Sequence, residues 1–245
     1  MTTAVPTNLR IARHSDTMGR HGEGERWAEV LIEDGRNRAV WISGPPGTPP
    51  DPHIHPDFNE FWIALDGQTQ WQIGQYEPVL SEWGDIIMAP AGFAHDIRPK
   101  KGAQAIRFGI THPNSNHDIK GVVPCRLIPV DEGQTNPNLI HTRLKDLIAR
   151  NGSETNWVEE AVSDNRNYAT YRHEITGTVS ELTSHDDENR WWVVLAGQVE
   201  WSVDAEEKVT AGPGDVVFVE SGKTYSITTV GEEPSIRVTI AATIK

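Results

Sequence analysis

The sequence predicts an all-β protein built from two copies of one module, and three observations support this fold class. Two stretches of the chain, 27–110 and 157–240, superpose at an offset of 130 residues without a gap. Both stretches consist of short runs of β-branched and apolar residues separated by turn signals, which is typical of sandwiches and small barrels. The 245 residues include 21 glycines and 16 prolines, which fits a chain with many turns. We therefore predict two tandem β-barrels that arose by internal duplication.

The residues that match between the two copies are of types that a fold tends to retain. The matched pairs are mostly glycines, tryptophans and aliphatic residues, among them Trp27/Trp157, Trp62/Trp192, Gly67/Gly197, Trp71/Trp201, Gly84/Gly214 and Arg107/Arg237. The repeat also sets the predicted organisation of the chain. It comprises an N-terminal arm (1–25), an N-terminal barrel (26–112), a linker (113–155) and a C-terminal barrel (156–245).

The predicted strands follow one another closely in each copy. Asp34-Gly35 and Asp66-Gly67 are dipeptides that favour two-residue hairpin turns, and each separates two predicted strands. The strands of the first copy are predicted at 26–34, 36–43, 60–65, 68–73, 85–89 and 103–110. Those of the second copy are predicted at 191–195, 198–203, 215–219 and 235–240. The linker contains one predicted helix, at 139–150, which ends at Asn151-Gly152.

The charge of the chain argues against two classes of partner. With 35 acidic and 22 basic residues, the net charge is −13, so the surface repels nucleic-acid phosphates and anionic lipids. We therefore predict no nucleic-acid and no membrane partner. One cysteine, Cys125, fits a reducing compartment, and the N-terminal residues lack the apolar segment of a secretory signal. These features predict a cytoplasmic location.

The first copy contains a group of side chains that typically bind metals. His53 and His55 are two residues apart, so on a strand both imidazoles face the same side. Glu60 follows after a short turn, and His95 belongs to a neighbouring strand. Three imidazoles and one carboxylate suit a divalent first-row metal and leave coordination positions open for a substrate.

At these positions the chain resembles the cupin superfamily. The segment HIHPDFNEFWIALDG is similar to the first cupin motif and GDIIMAPAGFAH to the second, with every signature position filled. The resemblance extends over both repeats and implies a bicupin with two antiparallel barrels of the jelly-roll type. It also implies that one metal is bound in the N-terminal barrel by His53, His55, Glu60 and His95.

The second copy departs from the motif. At the same offset, the four ligand positions hold Thr183, His185, Arg190 and Tyr225. An arginine where the carboxylate belongs repels a divalent ion and cannot lose its proton. We therefore predict no metal in the C-terminal barrel. A polar core cluster is the favoured interpretation of these four residues, and a site for a small anion is the alternative.

Seven residues of the first copy are predicted to line a substrate pocket beside the metal. They are Trp62, Ala64, Met88, Phe93, Ile97, Arg107 and Phe108. Two of them have alternative roles because the second copy repeats them. Trp192 repeats Trp62, which favours a packing role. Arg237 repeats Arg107, which favours a structural salt bridge over the binding of a substrate carboxylate.

Three functions are compatible with such a centre. The first is an Fe(II)-type dioxygenase acting on a small oxygenated compound that chelates the metal, with Mn, Ni, Zn or Co as alternative ions. The second is a redox-neutral isomerase, cyclase, lyase or decarboxylase in which the metal acts as a Lewis acid. The third is a non-catalytic protein that binds a small ligand. The fold alone does not decide among them, and homodimerisation of whole chains is left open.

Overall fold

The computed structural model describes residues 11–100, 102–113, 136–180, 182–204 and 208–242. Cys125, the first ten residues of the predicted arm and most of the predicted linker lie outside these ranges. The chain divides into two compact units. The first unit is His21–Leu144, and the second unit combines residues 11–20 with residues from Lys145 onward. Part of the predicted arm therefore belongs with the C-terminal half of the chain.

The first unit consists of β-strands arranged in two antiparallel sheets. Its strands are β2 (Trp27–Glu33), β3 (Arg38–Gly44), β4 (His53–Ile54), β5 (Glu60–Ala64), β6 (Thr69–Ile73), β7 (Val79–Ser81), β8 (Ile86–Ala89), β9 (Ala94–Pro99), β10 (Ala105–Thr111) and β11 (His141–Thr142). The six-stranded sheet has the order β11-β8-β5-β10-β3-β2, and the four-stranded sheet has the order β4-β9-β6-β7.

The second unit has the same arrangement of strands. Its elements are β1 (Ile11–Ala12), α1 (His14–Arg20), α2 (Leu144–Asn151, which begins at the boundary of the two units), β12 (Trp157–Ser163), β13 (Asn167–Glu174), β14 (Thr183–Ser184), β15 (Arg190–Ala196), β16 (Gln198–Val203), β17 (Val209–Ala211), β18 (Val216–Val219), β19 (Thr224–Val230) and β20 (Ser235–Ala242). The sheets have the orders β1-β18-β15-β20-β13-β12 and β14-β19-β16-β17. Each strand thus occupies the place of its counterpart 130 residues away.

The all-β prediction is confirmed, and the sheets of each unit do not close into a barrel. The strands of each unit are hydrogen-bonded in two separate sheets, of six and four strands, rather than in one continuous ring. Among the described residues, a closed barrel would require a ladder between the two sheets, which the register of neither unit contains. The tryptophans and aliphatic side chains of the first unit, Trp62, Trp71, Ile73, Ile87 and Ala89 among them, form a buried core cluster.

The hairpin after β5 shows why a glycine is needed at one position. Gly67 has a φ of 75°, and a Cβ added there would lie 2.0 Å from the carbonyl oxygen of Gln104. Gly197 takes the same place in the second unit, where a Cβ would lie 2.4 Å from the carbonyl oxygen of Pro234. Both turns therefore require glycine for backbone conformation and for space.

The predicted helix at 139–150 begins later than expected, at Leu144. The preceding residues His141 and Thr142 form β11 and pair with β8. The α1 helix was not predicted, because it has seven residues and buries only Thr17, so it gives no apolar periodicity. None of the helices among the described residues has the length and hydrophobicity needed to cross a membrane.

Two aspartates hold the segments that precede the helices. Asp85 accepts hydrogen bonds from the Leu144 backbone N, at 3.0 Å, and from His141 Nε2, at 2.8 Å. At the equivalent place in the second unit, Asp215 accepts from the His14 backbone N, at 2.9 Å, and from Arg13 Nη1, also at 2.9 Å. The structural equivalence at an offset of 130 therefore extends to residues 11–20 and 141–150, beyond the repeat visible in the sequence.

Candidate metal centre

The four predicted ligands come together in the first unit. His53 of β4 and His95 of β9 are directly paired in the register of the four-stranded sheet. His55 follows one residue after β4, and Glu60 is the first residue of β5 in the six-stranded sheet. All four residues are buried, with exposures between 2% and 8%. The two sheets thus bring imidazole and carboxylate side chains to one point.

The distances between the four side chains match those around a common ion. Glu60 Oε2 lies 2.7 Å from His55 Nε2 and 3.4 Å from His95 Nε2. His95 Nε2 lies 3.0 Å from His53 Nε2, and one ligand atom from each residue lies within 4.8 Å of the others. Two atoms that each lie about 2.1 Å from one ion are about 3 Å apart when they bind at right angles.

Backbone carbonyl groups determine the tautomers of two of the histidines. His53 Nδ1 lies 2.7 Å from the carbonyl oxygen of Asp51, and His95 Nδ1 lies 3.2 Å from that of Phe93. A carbonyl oxygen only accepts hydrogen bonds, so in both rings Nδ1 carries the proton. In the neutral rings, the two Nε2 lone pairs therefore face each other at 3.0 Å. Such an arrangement is unfavourable without a cation between them, and a metal ion fits it.

Glu60 is ionised at this site. Burial raises the pKa of the Glu60 carboxyl, but the neighbouring side chains of His55 and His95 lower it by more, so the pKa lies well below its ordinary value of 4.5. An ionised carboxylate is the form that binds a metal. The donor set therefore fits a divalent transition metal in both chemistry and spacing.

A pocket of about 430 Å³ lies beside these ligands and includes His53 and Glu60 in its lining. The rest of the lining comes mainly from alternate residues of neighbouring strands in the six-stranded sheet, whose side chains share one face. They are Arg38, Val40 and Ile42 of β3, Trp62 of β5, and Arg107, Gly109 and Thr111 of β10. The candidate metal site and the pocket are therefore continuous.

The pocket is rich in positive charge. Arg26, Arg38 and Arg107 line it, and besides Glu60 the only carboxylate in its lining is that of Asp51. Burial lowers the pKa of Arg107 to about 10; the carboxylates of Glu60 and Asp51 act against this shift, while Arg26 adds to it. Arg107 is therefore charged at neutral pH, and it lies in a chain whose overall charge is −13.

Three of the seven predicted pocket residues line this pocket: Trp62, Ile97 and Arg107. The other four, Ala64, Met88, Phe93 and Phe108, are buried and lie outside its lining. Phe108 lies between two pocket residues of β10, so it faces the opposite side of the sheet and packs against Trp41, with ring centroids 6.5 Å apart. Phe93 is part of the core cluster that contains Trp62.

Several pocket residues were missed in the sequence analysis. Gly109 belongs to the strand predicted at 103–110 and Thr111 directly follows it, so their alternation with Arg107 was a usable signal. Arg38 belongs to the strand predicted at 36–43, where no pocket residue was predicted. Gly109 leaves space for Trp62, because a Cβ there would lie 3.0 Å from Trp62 Cδ1. Asp51 and Arg26 lie outside the strands and gave no such signal.

The four predicted residues of the second unit also come together. Thr183 and Tyr225 are paired as His53 and His95 are in the first unit, and the rings of His185 and Tyr225 lie 5.9 Å apart. Arg190 Nε donates a hydrogen bond of 2.7 Å to Glu188 Oε1. The guanidinium is thus paired with a neighbouring carboxylate.

The pKa of His185 is lowered by burial and by the charge of Arg190, while Glu188 and Asp186 act in the opposite direction. Burial also raises the pKa of Tyr225. At neutral pH this cluster therefore holds a neutral imidazole and a neutral phenol beside a guanidinium. Such a set offers no anionic ligand at the position where the first unit has Glu60.

Comparison with known proteins supports the fold. Residues 174–240 match the family model described as "Cupin domain". A "Cupin 2 conserved barrel domain protein" from Leptotrichia buccalis superposes with a TM-score of 0.67 at 11% identity, covering 98% of this chain and all of that one. Oxalate decarboxylase from Bacillus subtilis superposes with a TM-score of 0.60 at 17% identity, covering 97% of this chain and 77% of that one.

A further structure of the same enzyme concerns the Mn(II) centres of Bacillus subtilis oxalate decarboxylase and has a TM-score of 0.61 at 15% identity, covering 97% of this chain and 78% of that one. A comparison with curated proteins gives no match. At these identities the structures show a shared fold. The match to the cupin-domain model covers residues 174–240, within the second unit.

Proposed function

We propose that the protein is a metal-dependent enzyme whose active site is the pocket of the first unit. His53, His55, Glu60 and His95 would hold one divalent transition metal, and a small oxygenated organic substrate would occupy the remaining coordination positions. This proposal rests on the Nε2 lone pairs of His53 and His95, which face each other at 3.0 Å beside the ionised carboxylate of Glu60. The pocket next to them has room for a small molecule.

The reaction that we propose first is the dioxygenation of a substrate that chelates the metal. A bound Fe(II) would mediate the transfer of electrons from the chelated substrate to dioxygen, with the substrate as the net reductant and both oxygen atoms ending in the product. The described residues would bind the ion and shield the substrate from water. His53 and Glu60 would hold the ion at the edge of the pocket, while Trp62 and Ile97 would exclude water from the bound substrate.

A redox-neutral reaction is the second candidate, and one observation favours it. Asp51 lines the pocket close to the ligands, so a carboxylate is available to accept or donate a proton. Isomerases, cyclases, lyases and decarboxylases all require such a group. The structural likeness to oxalate decarboxylase concerns the fold and does not decide between the two reactions.

The two units are consistent with a bicupin that arose by internal duplication and kept its metal site only in the first unit. The equal strand order of the units and the offset of 130 support this proposal. A small-molecule partner, a cytoplasmic location and homodimerisation of whole chains remain predictions from the sequence.

Anaerobic purification followed by elemental analysis and oxygen uptake would test the proposed function. We expect about one metal ion per chain, with iron and with oxygen consumption that depends on added catechols or diketones. Zinc or manganese with product formation but without oxygen uptake would support the redox-neutral reaction instead. Tight ligand binding without turnover of any compound would indicate a binding protein.

A further inference from the structure

Arg107 and Arg237 occupy equivalent positions, but their surroundings differ. Arg237 is 1% exposed, and its Nη1 lies 2.8 Å from Glu174 Oε2. Glu174 and Ser235 are paired in the register of β13 and β20, and Thr229 Oγ1 hydrogen-bonds to Ser235 Oγ at 2.8 Å. Arg237 is thus the cation of a buried polar network in the second unit.

The first unit keeps the arginine and lacks the rest of this network. At the offset of 130, Glu174 corresponds to Gly44, Thr229 to Pro99 and Ser235 to Ala105. The register is the same, since Gly44 pairs with Ala105. A Cβ on Gly44 would lie 2.7 Å from Pro99 Cγ, so the proline ring fills the space of the missing side chain.

Arg107 is consequently left without the carboxylate that neutralises its counterpart. Its Nε is buried and has no hydrogen-bond partner among the described residues, as is also true of Arg237 Nε, so the two arginines differ in the ion pair that Arg237 makes with Glu174. Its Cζ lies 5.9 Å from the centre of the Trp71 ring, a cation–π contact that orients the guanidinium. Arg107 also lines the pocket together with His53 and Glu60. A half-buried guanidinium that makes no ion pair among the described residues is partly desolvated, and an anionic ligand would offset that cost.

We propose that Arg107 binds a carboxylate of the substrate while other oxygen atoms of the same molecule coordinate the metal. The substrate class is therefore a small organic acid that has a carboxylate in addition to its metal-chelating oxygens. The planar fork of the guanidinium matches a carboxylate with two hydrogen bonds. Arg38 and Arg26 in the same pocket add to its preference for anions. This inference rests on the proposed metal-dependent function.

The test uses pairs of ligands that share chelating oxygens and differ by one carboxylate. These pairs are catechol with 3,4-dihydroxybenzoate, and lactate with malate. Calorimetric titration of the anaerobic, Zn(II)-loaded protein avoids redox chemistry, because zinc has a single stable oxidation state. We expect the ligand with the additional carboxylate to bind about 10- to 100-fold more tightly. The variant Arg107→Gln should lose this preference and keep its zinc, measured by elemental analysis.

Thermal unfolding distinguishes a binding role from a structural one. Arg107→Gln should leave the unfolding midpoint unchanged or raise it, because it removes a half-buried charge that makes no ion pair among the described residues. Arg237→Gln is the matched control and should lower the midpoint, because it leaves Glu174 buried without its cation. An equal loss of stability in both variants would overturn the proposal.

A second variant transplants the network of the second unit. Gly44→Glu combined with Pro99→Thr and Ala105→Ser should provide Arg107 with an internal carboxylate and abolish the preference for the additional carboxylate. If zinc binds and each ligand pair shows equal affinities in the wild-type protein, or if neither set of substitutions alters the preference, the inference about Arg107 is wrong and the metal site stands. If the protein binds no zinc, the proposed function itself fails.

Discussion

Arg190 occupies the position that Glu60 has in the first unit, and the two side chains carry opposite charges. The guanidinium pairs with Glu188 at 2.7 Å and helps to lower the pKa of His185 below its ordinary value of 6.5, after the larger effect of burial. A proton and a metal ion are both cations, so the charge that disfavours protonation of His185 also disfavours metal binding there.

Replacement of Arg190 by glutamine should therefore raise the pKa of His185 toward 6.5, as measured by NMR titration of its ring protons. In the folded wild-type protein the pKa of His185 lies below 6.5. The contribution of His185 to the free energy of unfolding is therefore fully present above pH 6.5 and is lost as the pH decreases from 6.5 through the folded-state pKa. The variant should show a smaller fall over this range. An unchanged pKa of His185 would show that Arg190 has no electrostatic effect on this site.

The buried pair of Glu174 and Arg237 gives a second prediction at the level of single residues. Glu174→Gln leaves the guanidinium buried without its partner, so the free energy of unfolding should fall by about 3–5 kcal/mol in urea denaturation. Lys208→Gln is the control, because the Lys208 side chain is 64% exposed and its ion pair with Glu200 lies at the surface. That variant should change stability by less than about 1 kcal/mol. Equal effects would contradict a structural role for the buried pair.

At the level of elements, the short segments 11–14 and 141–144 are each attached to a sheet by strand pairing and by one aspartate. Asp85 and Asp215 accept backbone hydrogen bonds at or beside the start of a helix, so they act as caps supplied from elsewhere in the chain. Segments of this length are marginal without tertiary contacts. Their order should therefore depend on these bonds.

The prediction is that Asp85→Ala costs about 1–2 kcal/mol and increases hydrogen exchange at 141–151. Asp215→Ala should act in the same way at 11–20, and each variant serves as the control for the other. Asp85→Asn keeps an oxygen acceptor and should restore most of the protection. Uniform loss of protection over both units in either variant would contradict a local role.

The strands were predicted from the sequence more accurately than the helix α2. Strands such as β16 and β5 were predicted within one residue, because period-two patterns and Asp-Gly or similar turns are local signals. The start of α2 was placed five residues early, since tertiary pairing with β8 draws His141 and Thr142 into a strand. The four candidate ligands were predicted from their spacing, whereas the surroundings of Arg107 depend on Gly44, which pairs with Ala105 two residues away, and only the register reveals this.

At the level of the whole molecule, we expect the first unit to bind the metal and the second unit to bind none. Binding of an ion to the folded state alone stabilises whatever unit contains the site. Hydrogen exchange should therefore slow within the described part of residues 21–144 when the metal-free protein is supplied with Zn(II), while residues 157–242 should be unaffected. Slower exchange in the second unit instead would contradict this division.

Whether the first unit binds a metal through His95 and its three neighbours is tested most directly by the metal content of three proteins prepared under metal-replete conditions. Elemental analysis should give about one ion per chain for the wild-type protein and for His185→Ala, and close to none for His95→Ala, because only His95 belongs to the group of four converging ligands. An absence of bound metal in the wild-type protein, or a loss of metal in His185→Ala with retention in His95→Ala, would contradict metal binding in the first unit.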